Sequence, residues 1–374
     1  MAMRVGVPRE VKVHEYRVGL VPAAVRELVA HGHEVLVESG AGAAIGFEDA
    51  AYRAAGAAIT ADAAEVFAAA ELLVKVKEPQ PREWARLRPG QVLFAYLHLA
   101  PDPAQARGLM ESGATAIAYE TVTDARGGLP LLAPMSEVAG RMAVQVGARC
   151  LEKEMGGAGV LLGGVPGAPP ARVAILGGGV VGANAARIAH GMRARVTVLD
   201  RAPAALRALD IEFGGMVDTL FATRDSIERA VLEADLLIGA VLVPGAEAPR
   251  LVPRELVRRM RPGSVIVDVA IDQGGCVETS RPTTHADPTY VEEGVVHYCV
   301  TNMPGAVART SAVALNNATL PFVLALADHG WRAAAAADPH LARGVNVHAG
   351  RVVHPAVAAA LGEAALPLEQ ALAG

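Results

Sequence analysis

The chain has 374 residues, of which 52% are hydrophobic and 20% charged, and a formal net charge of −5. This length suits two domains, and the apolar content excludes an intrinsically disordered chain. A negatively charged chain has no overall attraction to nucleic acid or to an anionic membrane surface, so neither is expected as a partner. The three cysteines lie far apart in the sequence, predict neither a zinc site nor a disulfide framework, and favour a reducing cytoplasm. They are Cys150, Cys276 and Cys299.

The sequence predicts no secretion signal and no membrane span. Charged residues follow the first short apolar run at once, and the longest apolar run, residues 312–327, contains Asn316, Asn317 and Pro321. Polar amides and a proline in the middle of the run favour a helix that is buried within the protein.

The first third of the chain alternates short strand-like runs with helical stretches. This alternation is typical of a parallel sheet covered by helices on both faces. The expected strands are Met3–Val7, Glu34–Glu38, Leu72–Val76, Val92–Leu97 and Ala116–Tyr119. The expected helices are Pro22–His31, Glu48–Ala55 and Asp62–Ala70.

A second alternating region follows a long helix and a loop. Ser136 is expected to be the N-cap of a helix over Glu137–Met155, and residues 156–170, rich in glycine and proline, to form the loop. The expected strands are Arg172–Leu176, Arg195–Leu199, Leu236–Ala240, Ser264–Val269 and Val295–Val300. A helix over Thr310–His329 and one more helix after Leu341 complete the chain, and we expect this tail to return to the first domain.

A glycine motif follows the first strand of the second region. Gly177, Gly179 and Gly182 have the spacing G-x-G-x-x-G and lead into an alanine-rich helix. Such glycines allow a tight turn, close approach of a pyrophosphate, and close packing of helix on strand. The next strand ends in Asp200, whose carboxylate would accept hydrogen bonds from ribose hydroxyls and repel a 2′-phosphate, although Arg201 weakens this preference for NAD over NADP. The alternative is a purely structural glycine turn.

These elements predict an α/β fold of two doubly wound, Rossmann-like domains. Residues 1–133 and 309–374 are expected to form a substrate domain, and residues 134–308 an NAD-binding domain.

Several candidate site residues lie near strand ends, where ligands bind in open α/β sheets. Lys75 and Lys77, two of the four lysines in the chain, lie at the end of one expected strand. One of them could bind a substrate oxygen; alternatively, they lie at a solvated strand end with Glu78 as their partner. His98 follows the next strand, and on its own would more often be a structural residue. Arg17, taken alone, is an ordinary loop arginine.

Two further candidates follow strands of the second region. Asp272 lies beyond a strand and before a diglycine turn, where it could face a nicotinamide. Asn302 closes the last strand, where it could hydrogen-bond a carboxamide or the substrate.

The chain resembles the alanine dehydrogenases, which share ancestry with the NAD-binding part of proton-translocating transhydrogenase. The resemblance spans essentially the whole chain. The segments that carry it are Arg4–Glu10, Lys75–Pro79, Leu97–Leu99, Ala133–Arg141, Gly163–Gly167, Val241–Gly245, Ile271–Cys276 and Asn302–Pro304.

The resemblance implies roles for the candidate residues. Arg17 would hold the substrate carboxylate, and Lys77 would hydrogen-bond the carbonyl oxygen of pyruvate. His98 would be the general acid/base, and Asp272 would activate water for attack on an iminium intermediate. The implied NAD-binding residues are Ser136, Gly177, Gly179, Val180, Val181, Gly182, Asp200, Val241, Leu242, Val269, Ala270, Ile271, Asp272, Arg281, Val300, Thr301, Asn302 and Met303.

The resemblance also implies a reaction and an assembly. The expected activity is reversible deamination of L-alanine to pyruvate and ammonia, in a cleft between two domains of a homohexamer. Ala205 and Ala222 replace polar residues that lie near the adenosine in some relatives, so we expect an altered affinity for the cofactor. Ala325 replaces a glutamate that some relatives carry, so we expect no metal. The alternatives are a transhydrogenase NAD(H) domain, a saccharopine-type dehydrogenase, and a binding protein without catalysis.

Overall fold

A computed structural model describes residues 2–241 and 247–373 of the chain. The chain divides into two compact units, Met1–Met135 with Val307–Gly374 and Ser136–Ala306. The sequence places the corresponding boundaries at 133/134 and 308/309.

The N-terminal part of the first unit contains six strands and five helices. The strands are β1 (Arg4–Val7), β2 (Glu34–Glu38), β3 (Ala58–Thr60), β4 (Leu72–Val74), β5 (Val92–Ala95) and β6 (Thr115–Ala118). The helices are α1 (Pro22–Ala30), α2 (Asp49–Ala54), α3 (Ala63–Ala69), α4 (Pro81–Trp84) and α5 (Pro103–Ser112). β3 and α4 were not predicted, because elements of three and four residues carry little periodicity of their own. The ten-residue helix α5 was not predicted either.

The second unit begins within α6 (Ala133–Cys150), and the part of it that the structure describes contains seven strands. They are β7 (Arg172–Leu176), β8 (Arg195–Asp200), β9 (Asp218–Phe221), β10 (Leu236–Gly239), β11 (Val265–Asp268), β12 (Thr289–Glu292) and β13 (Val295–Tyr298). Its further helices are α7 (Val180–Gly191), α8 (Pro203–Phe213), α9 (Arg224–Glu233) and α10 (Arg254–Arg258).

The tail returns to the first unit, as predicted, but has more elements than the sequence suggested. They are α11 (Ala308–Ala337), α12 (Pro339–Ala342), β14 (Val345–His348), β15 (Arg351–Val352), α13 (Pro355–Leu361) and α14 (Leu368–Ala373). The prediction of one helix after Leu341 was therefore wrong. The strands β14 and β15 were not predicted, and β15, with two residues, is too short to show an alternating pattern.

The two sheets share one topology. The first sheet has the order β15-β14-β6-β5-β4-β1-β2-β3, and the second has the order β12-β13-β11-β10-β7-β8-β9. In each sheet six parallel strands run outward in both directions from the first strand, and antiparallel strands extend one edge. Two doubly wound Rossmann-type sheets confirm the predicted fold class. Apolar strand residues and the helices against them form the buried core of each unit.

Two helix predictions need correction. Ser136 is not an N-cap, because α6 already begins at Ala133. Pro134 fits the first turn, where its missing N–H costs no intrahelical hydrogen bond. The helix ends at Cys150, and only a short 3₁₀ turn, Lys153–Met155, follows.

The helix α11 is longer than predicted and is interrupted at Gly330, which has φ 74° and ψ 156°. The first helical segment of α11 therefore ends at His329, as predicted, and a second segment follows Gly330. Among the described residues, one helical stretch, Met303–Ala337, is long and apolar enough to cross a membrane. Its buried face includes Leu315, Val323 and Leu326, and α11 contacts α1 and β4. It packs as a core helix of the first unit.

Candidate functional site

In the first unit, three candidate residues follow three adjacent parallel strands. Arg17 lies in the connection after β1, Lys77 after β4 and His98 after β5. Because β1, β4 and β5 are neighbours in the sheet, their carboxyl ends lie side by side. The structure thus brings these three sequence-predicted residues to one edge of one sheet.

Lys75 and Lys77 have different environments. The Lys75 side chain is 0% exposed, and its Nζ lies 2.9 Å from Oε1 of Glu83 and 3.1 Å from Oε2 of Glu10. Burial alone would lower the pKa of Lys75, but the charges of Glu10 and Glu83 outweigh it and raise that pKa. Lys77 keeps 16% of its side chain exposed, with Nζ 4.0 Å from Glu78. Lys75 is thus an internal cation, and Lys77 is the lysine that a ligand can reach.

Glu10 also fixes the backbone of this lysine segment. Its Oε1 accepts hydrogen bonds from the N–H of Val76, at 2.7 Å, and of Lys77, at 3.4 Å. Burial raises the pKa of Glu10, even though Lys75 acts in the opposite direction. The segment carrying Lys77 is therefore held by a buried carboxylate.

Arg17 is oriented by Glu15. Its Nε and Nη2 donate to the two carboxylate oxygens of Glu15 at 2.7 and 2.6 Å, and Nη1 donates to Sδ of Met135 at 3.1 Å. Burial opposes the charge of Arg17, but the Glu15 carboxylate outweighs it and raises the pKa of the guanidinium. This bidentate pair fixes the plane of the guanidinium, as anion recognition requires.

His98 lies in a strained turn beside a carboxylate. Its φ is 49°, although it is not a glycine, and its side chain is 45% exposed. The ring stacks on Tyr96, with centroids 5.8 Å apart and planes inclined by 5°. Glu120 accepts a hydrogen bond of 2.6 Å from the N–H of His98, and its Oε1 lies 3.9 Å from Nδ1.

In the second unit, the glycine motif forms the turn between β7 and α7. Gly177 has φ 104°, a conformation that L-residues rarely adopt. A Cβ on Gly182 would lie 1.8 Å from the carbonyl oxygen of Gly177, so strand and helix meet without room for a side chain. A Cβ on Gly179 would meet no atom within 4 Å, which leaves open space beside the start of the helix. This shape suits a pyrophosphate.

Asp200 ends β8 beside this turn. Its Oδ2 accepts from the N–H of Gly178 at 2.6 Å, and its Oδ1 from the N–H of Ala202 at 2.7 Å. The carboxylate therefore lies at the glycine turn, on the strand neighbouring β7. Ala222 follows β9 and hydrogen-bonds the Asp200 carbonyl, whereas Ala205 lies in α8.

The remaining candidates of the second unit cluster at the carboxyl ends of its parallel strands. Val241 follows β10, Asp272 lies in a 3₁₀ turn (Val269–Gln273) after β11, and Asn302, with φ 62°, follows β13. Strand order reverses between β7 and β10, and ligands bind at such a switch point. The candidates in these three segments are Val241, Val269, Ala270, Ile271, Asp272, Val300, Thr301, Asn302 and Met303. Leu242 lies outside the described residues.

Two further predicted residues, Arg281 and Ser136, do not directly follow a strand of the sheet. Arg281 stacks on Tyr290, with its guanidinium carbon 3.9 Å from the ring centroid. Ser136 lies in the first turns of α6, one turn before Gly140. A Cβ on Gly140 would lie 2.2 Å from the Val181 carbonyl oxygen, so α6 packs closely against the start of α7.

Sequence reasoning missed the carboxylates that hold the first-unit candidates in place. Glu10 contacts Lys75, and Glu15 contacts Arg17. Glu120 contacts the backbone of His98. A signal existed for one of them, because Glu120 follows the strand-like run Thr115–Ala118 at a carboxyl end. The pairing of distant residues, such as Glu10 with Lys75, leaves no local pattern.

Comparisons with known proteins match both units. A family model described as Alanine dehydrogenase/PNT, N-terminal domain, matches residues 6–139, and the C-terminal domain model matches residues 143–355. The alanine dehydrogenase of Halomonas elongata is 62% identical over 96% of this chain and 97% of its own length. A solved L-alanine dehydrogenase superposes with a TM-score of 0.94 at 54% identity, covering 96% of this chain and 99% of that one. A transhydrogenase structure from Sinorhizobium meliloti has a TM-score of 0.80 at 26% identity, over 94% and 99%.

Two doubly wound units, one with a dinucleotide-type glycine turn, define a two-domain α/β protein of the nucleotide-binding class. The family models cover most of both units. The chain belongs to the alanine dehydrogenase/PNT family, which confirms the family predicted from the sequence.

Proposed function

We propose that the protein is an NAD-dependent dehydrogenase that interconverts L-alanine with pyruvate and ammonia. The observation that carries this proposal is near-full-length identity of 62% with an alanine dehydrogenase, in a chain that places Arg17, Lys77 and His98 at three adjacent strand ends. These are an anion-binding fork, a cationic donor and a proton-transfer group, which an amino-acid substrate requires together.

Arg17 and Lys77 bind the two oxygen functions of the substrate in this proposal. The carboxylate of alanine or pyruvate replaces the weak Met135 sulfur acceptor at Nη1 of Arg17, while Glu15 keeps the guanidinium in position. Lys77 donates to the carbonyl oxygen of pyruvate and stabilises negative charge that develops there. Lys75, held by Glu10 and Glu83, has a structural role.

His98 and Asp272 transfer protons in this proposal. An imidazole has one nitrogen that can donate a proton and one that can accept it, so His98 can accept and return a proton at the substrate nitrogen or oxygen. The Asp272 carboxylate activates the water that adds to the imine formed when alanine is oxidised. Expulsion of ammonia from the resulting carbinolamine leaves pyruvate.

The second unit fits a dinucleotide by its shape. The open space at Gly179 suits a pyrophosphate, as do the N–H groups in the first turn of α7, for which a helix provides no intrahelical acceptors. Asp200 would bind the ribose hydroxyls and disfavour a 2′-phosphate, and residues 269–272 and 300–303 would flank the nicotinamide. When bound, NAD⁺ supplies the hydride acceptor for the Cα–H of alanine. The further proposed contacts are Ser136, Val180, Val181, Val241, Leu242 and Arg281.

The competing function is that of the transhydrogenase relative, which would bind NAD(H) without acting on an amino acid. The test is absorbance at 340 nm when the purified protein meets L-alanine and NAD⁺, and the reverse reaction with pyruvate, ammonium and NADH. Alanine-dependent NADH formation supports the proposal, and its absence refutes it. Pyruvate offered with lysine in place of ammonium tests the saccharopine-type alternative.

We propose a separate role for each domain and a cytoplasmic setting. Residues 1–133 with 309–374 would bind substrate, and residues 134–308 would bind NAD. We propose a cytoplasmic homohexamer without a membrane or nucleic-acid partner. Cys150, Cys276 and Cys299 are free and buried, which suits a reducing compartment. Native mass spectrometry tests the oligomeric state.

A further inference from the structure

The turn that carries His98 has an uncommon backbone conformation. At φ 49° the residue lies in the left-handed region, which side chains with a Cβ rarely adopt. Strain of this kind persists only where surrounding contacts determine the conformation. The surroundings of residues 97 and 98 therefore hold the reason for this turn.

Two buried or largely buried side chains hydrogen-bond to the backbone of the turn. Glu120 accepts from the N–H of His98 at 2.6 Å, and from the N–H of Leu97 at 3.2 and 3.3 Å. Gln105, 1% exposed, donates from Nε2 to the Leu97 carbonyl oxygen at 2.8 Å. Glu120 itself belongs to a 3₁₀ turn, Tyr119–Thr121, directly after β6, the strand beside β5. The pairing of β5 with β6 thus fixes the distance between the Glu120 carboxylate and the turn at His98.

The same carboxylate faces one ring nitrogen of His98. Oε1 of Glu120 lies 3.9 Å from Nδ1, and the Glu120 side chain is only 14% exposed. A nearby anion favours a proton on the nitrogen that faces it. Nε2 is then the nitrogen that exchanges a proton with the substrate. Tyr96, stacked on the ring, limits its rotation.

We propose that Glu120 is a positioning residue for His98, which holds the left-handed turn through two backbone N–H groups and directs Nε2 of the imidazole toward the substrate. The proposal rests on the alanine dehydrogenase function proposed above. Glu120 acts through His98 and not by touching the substrate.

Two substitutions separate the parts of this role. Glu120→Gln keeps an oxygen that can accept from the backbone but removes the charge, whereas Glu120→Ala removes both. Misplacing a catalytic group by about 1 Å can cost about 10²-fold in rate. We therefore expect kcat to fall roughly 10-fold in the glutamine variant and about 10²-fold in the alanine variant, with the KM for alanine and the Kd for NADH within about threefold of wild type.

A double-mutant cycle with His98→Ala tests whether Glu120 changes the rate through the imidazole of His98. Once the imidazole is absent, Glu120→Gln should change the residual rate by less than about twofold, because coupled residues are not additive. Glu71→Gln is the matched control, since Glu71 accepts a 2.9 Å hydrogen bond from the Arg4 N–H in the same unit, before β4. It should retain wild-type kinetics.

Each outcome is decisive. Glu120→Ala with wild-type kcat, or equal loss from Glu120→Gln with and without His98, overturns the positioning role while leaving the proposed function intact. A wild-type protein silent toward alanine and NAD⁺ overturns both. If Glu120→Ala does not fold, Glu120→Gln alone carries the test, because its backbone contacts can persist.

Discussion

Lys75 and Lys77 give contrasting expectations, although both belong to the same short motif. Lys75 is a buried cation between two carboxylates, whose side chains are 2% and 3% exposed. Lys75→Met leaves Glu10 and Glu83 buried without their cation. Removing one partner of a buried ion pair costs about 3–5 kcal/mol, a large share of the ~5–15 kcal/mol that stabilises a typical protein.

This loss should be visible in thermal unfolding followed by circular dichroism. For a domain of 150–250 residues, each 1 kcal/mol shifts the Tm by about 2–4 °C, so Lys75→Met should lower the Tm of the first unit by roughly 6–20 °C. Lys77→Met should change the Tm less, because Nζ of Lys77 lies as far as 4.0 Å from Glu78, and Glu78 keeps a second cation in Lys12. It should instead lower kcat by about 10²–10³-fold, as loss of a donor to developing charge does.

The pH dependence of the Lys75→Met defect has a definite sign. The pKa of Glu10 is already raised by burial, and removal of Lys75 raises it further. A carboxyl whose pKa is higher in the folded state than in the unfolded state stabilises the fold below its unfolded pKa, and this contribution is lost as the pH rises through the folded pKa. The Tm deficit should therefore be larger at pH 8 than at pH 5. Equal Tm values for Lys75→Met and wild type, or an equal deficit for Lys77→Met, would refute this division of roles.

Three other perturbations test separate parts of the molecule. His98→Ala should lower kcat by about 10²–10⁴-fold without weakening NADH binding, measured by fluorescence titration; full activity would exclude His98 as the proton-transfer group. Gly182→Ala places a Cβ 1.8 Å from a carbonyl oxygen and should lower both the Tm and the affinity for NADH. Gly179→Ala places a Cβ in open space and should lower only the affinity for NADH. Equal losses of Tm in the two variants would contradict this expectation. Asp328, hydrogen-bonded to two histidines, has a lowered pKa, so Asp328→Asn should destabilise the protein above about pH 4. That difference should vanish as the pH falls through the native pKa of Asp328, and a pH-independent difference would show that the charge is not involved.

The sequence determined the features that are encoded over neighbouring residues. The sequence predicted the strands Arg172–Leu176 and Arg195–Leu199, the glycine spacing between them, and Asp200. This was possible because the turn and the periodicity of a βαβ unit lie within one continuous segment of the chain. The α/β class followed from the same local signals, and the family followed from short segments along the chain that resemble those of the alanine dehydrogenases.

Only the tertiary structure decided which members of a motif are buried and which residues support them. Lys75 and Lys77 look alike in the sequence, yet Glu10 and Glu83 make one of them internal. Likewise the sequence indicated His98 as a candidate, but it indicated neither the left-handed turn at this residue nor the contact with the Glu120 carboxylate, which follows the neighbouring strand. Such pairings join residues far apart in the chain, so they depend on strand order and packing, which no local pattern records.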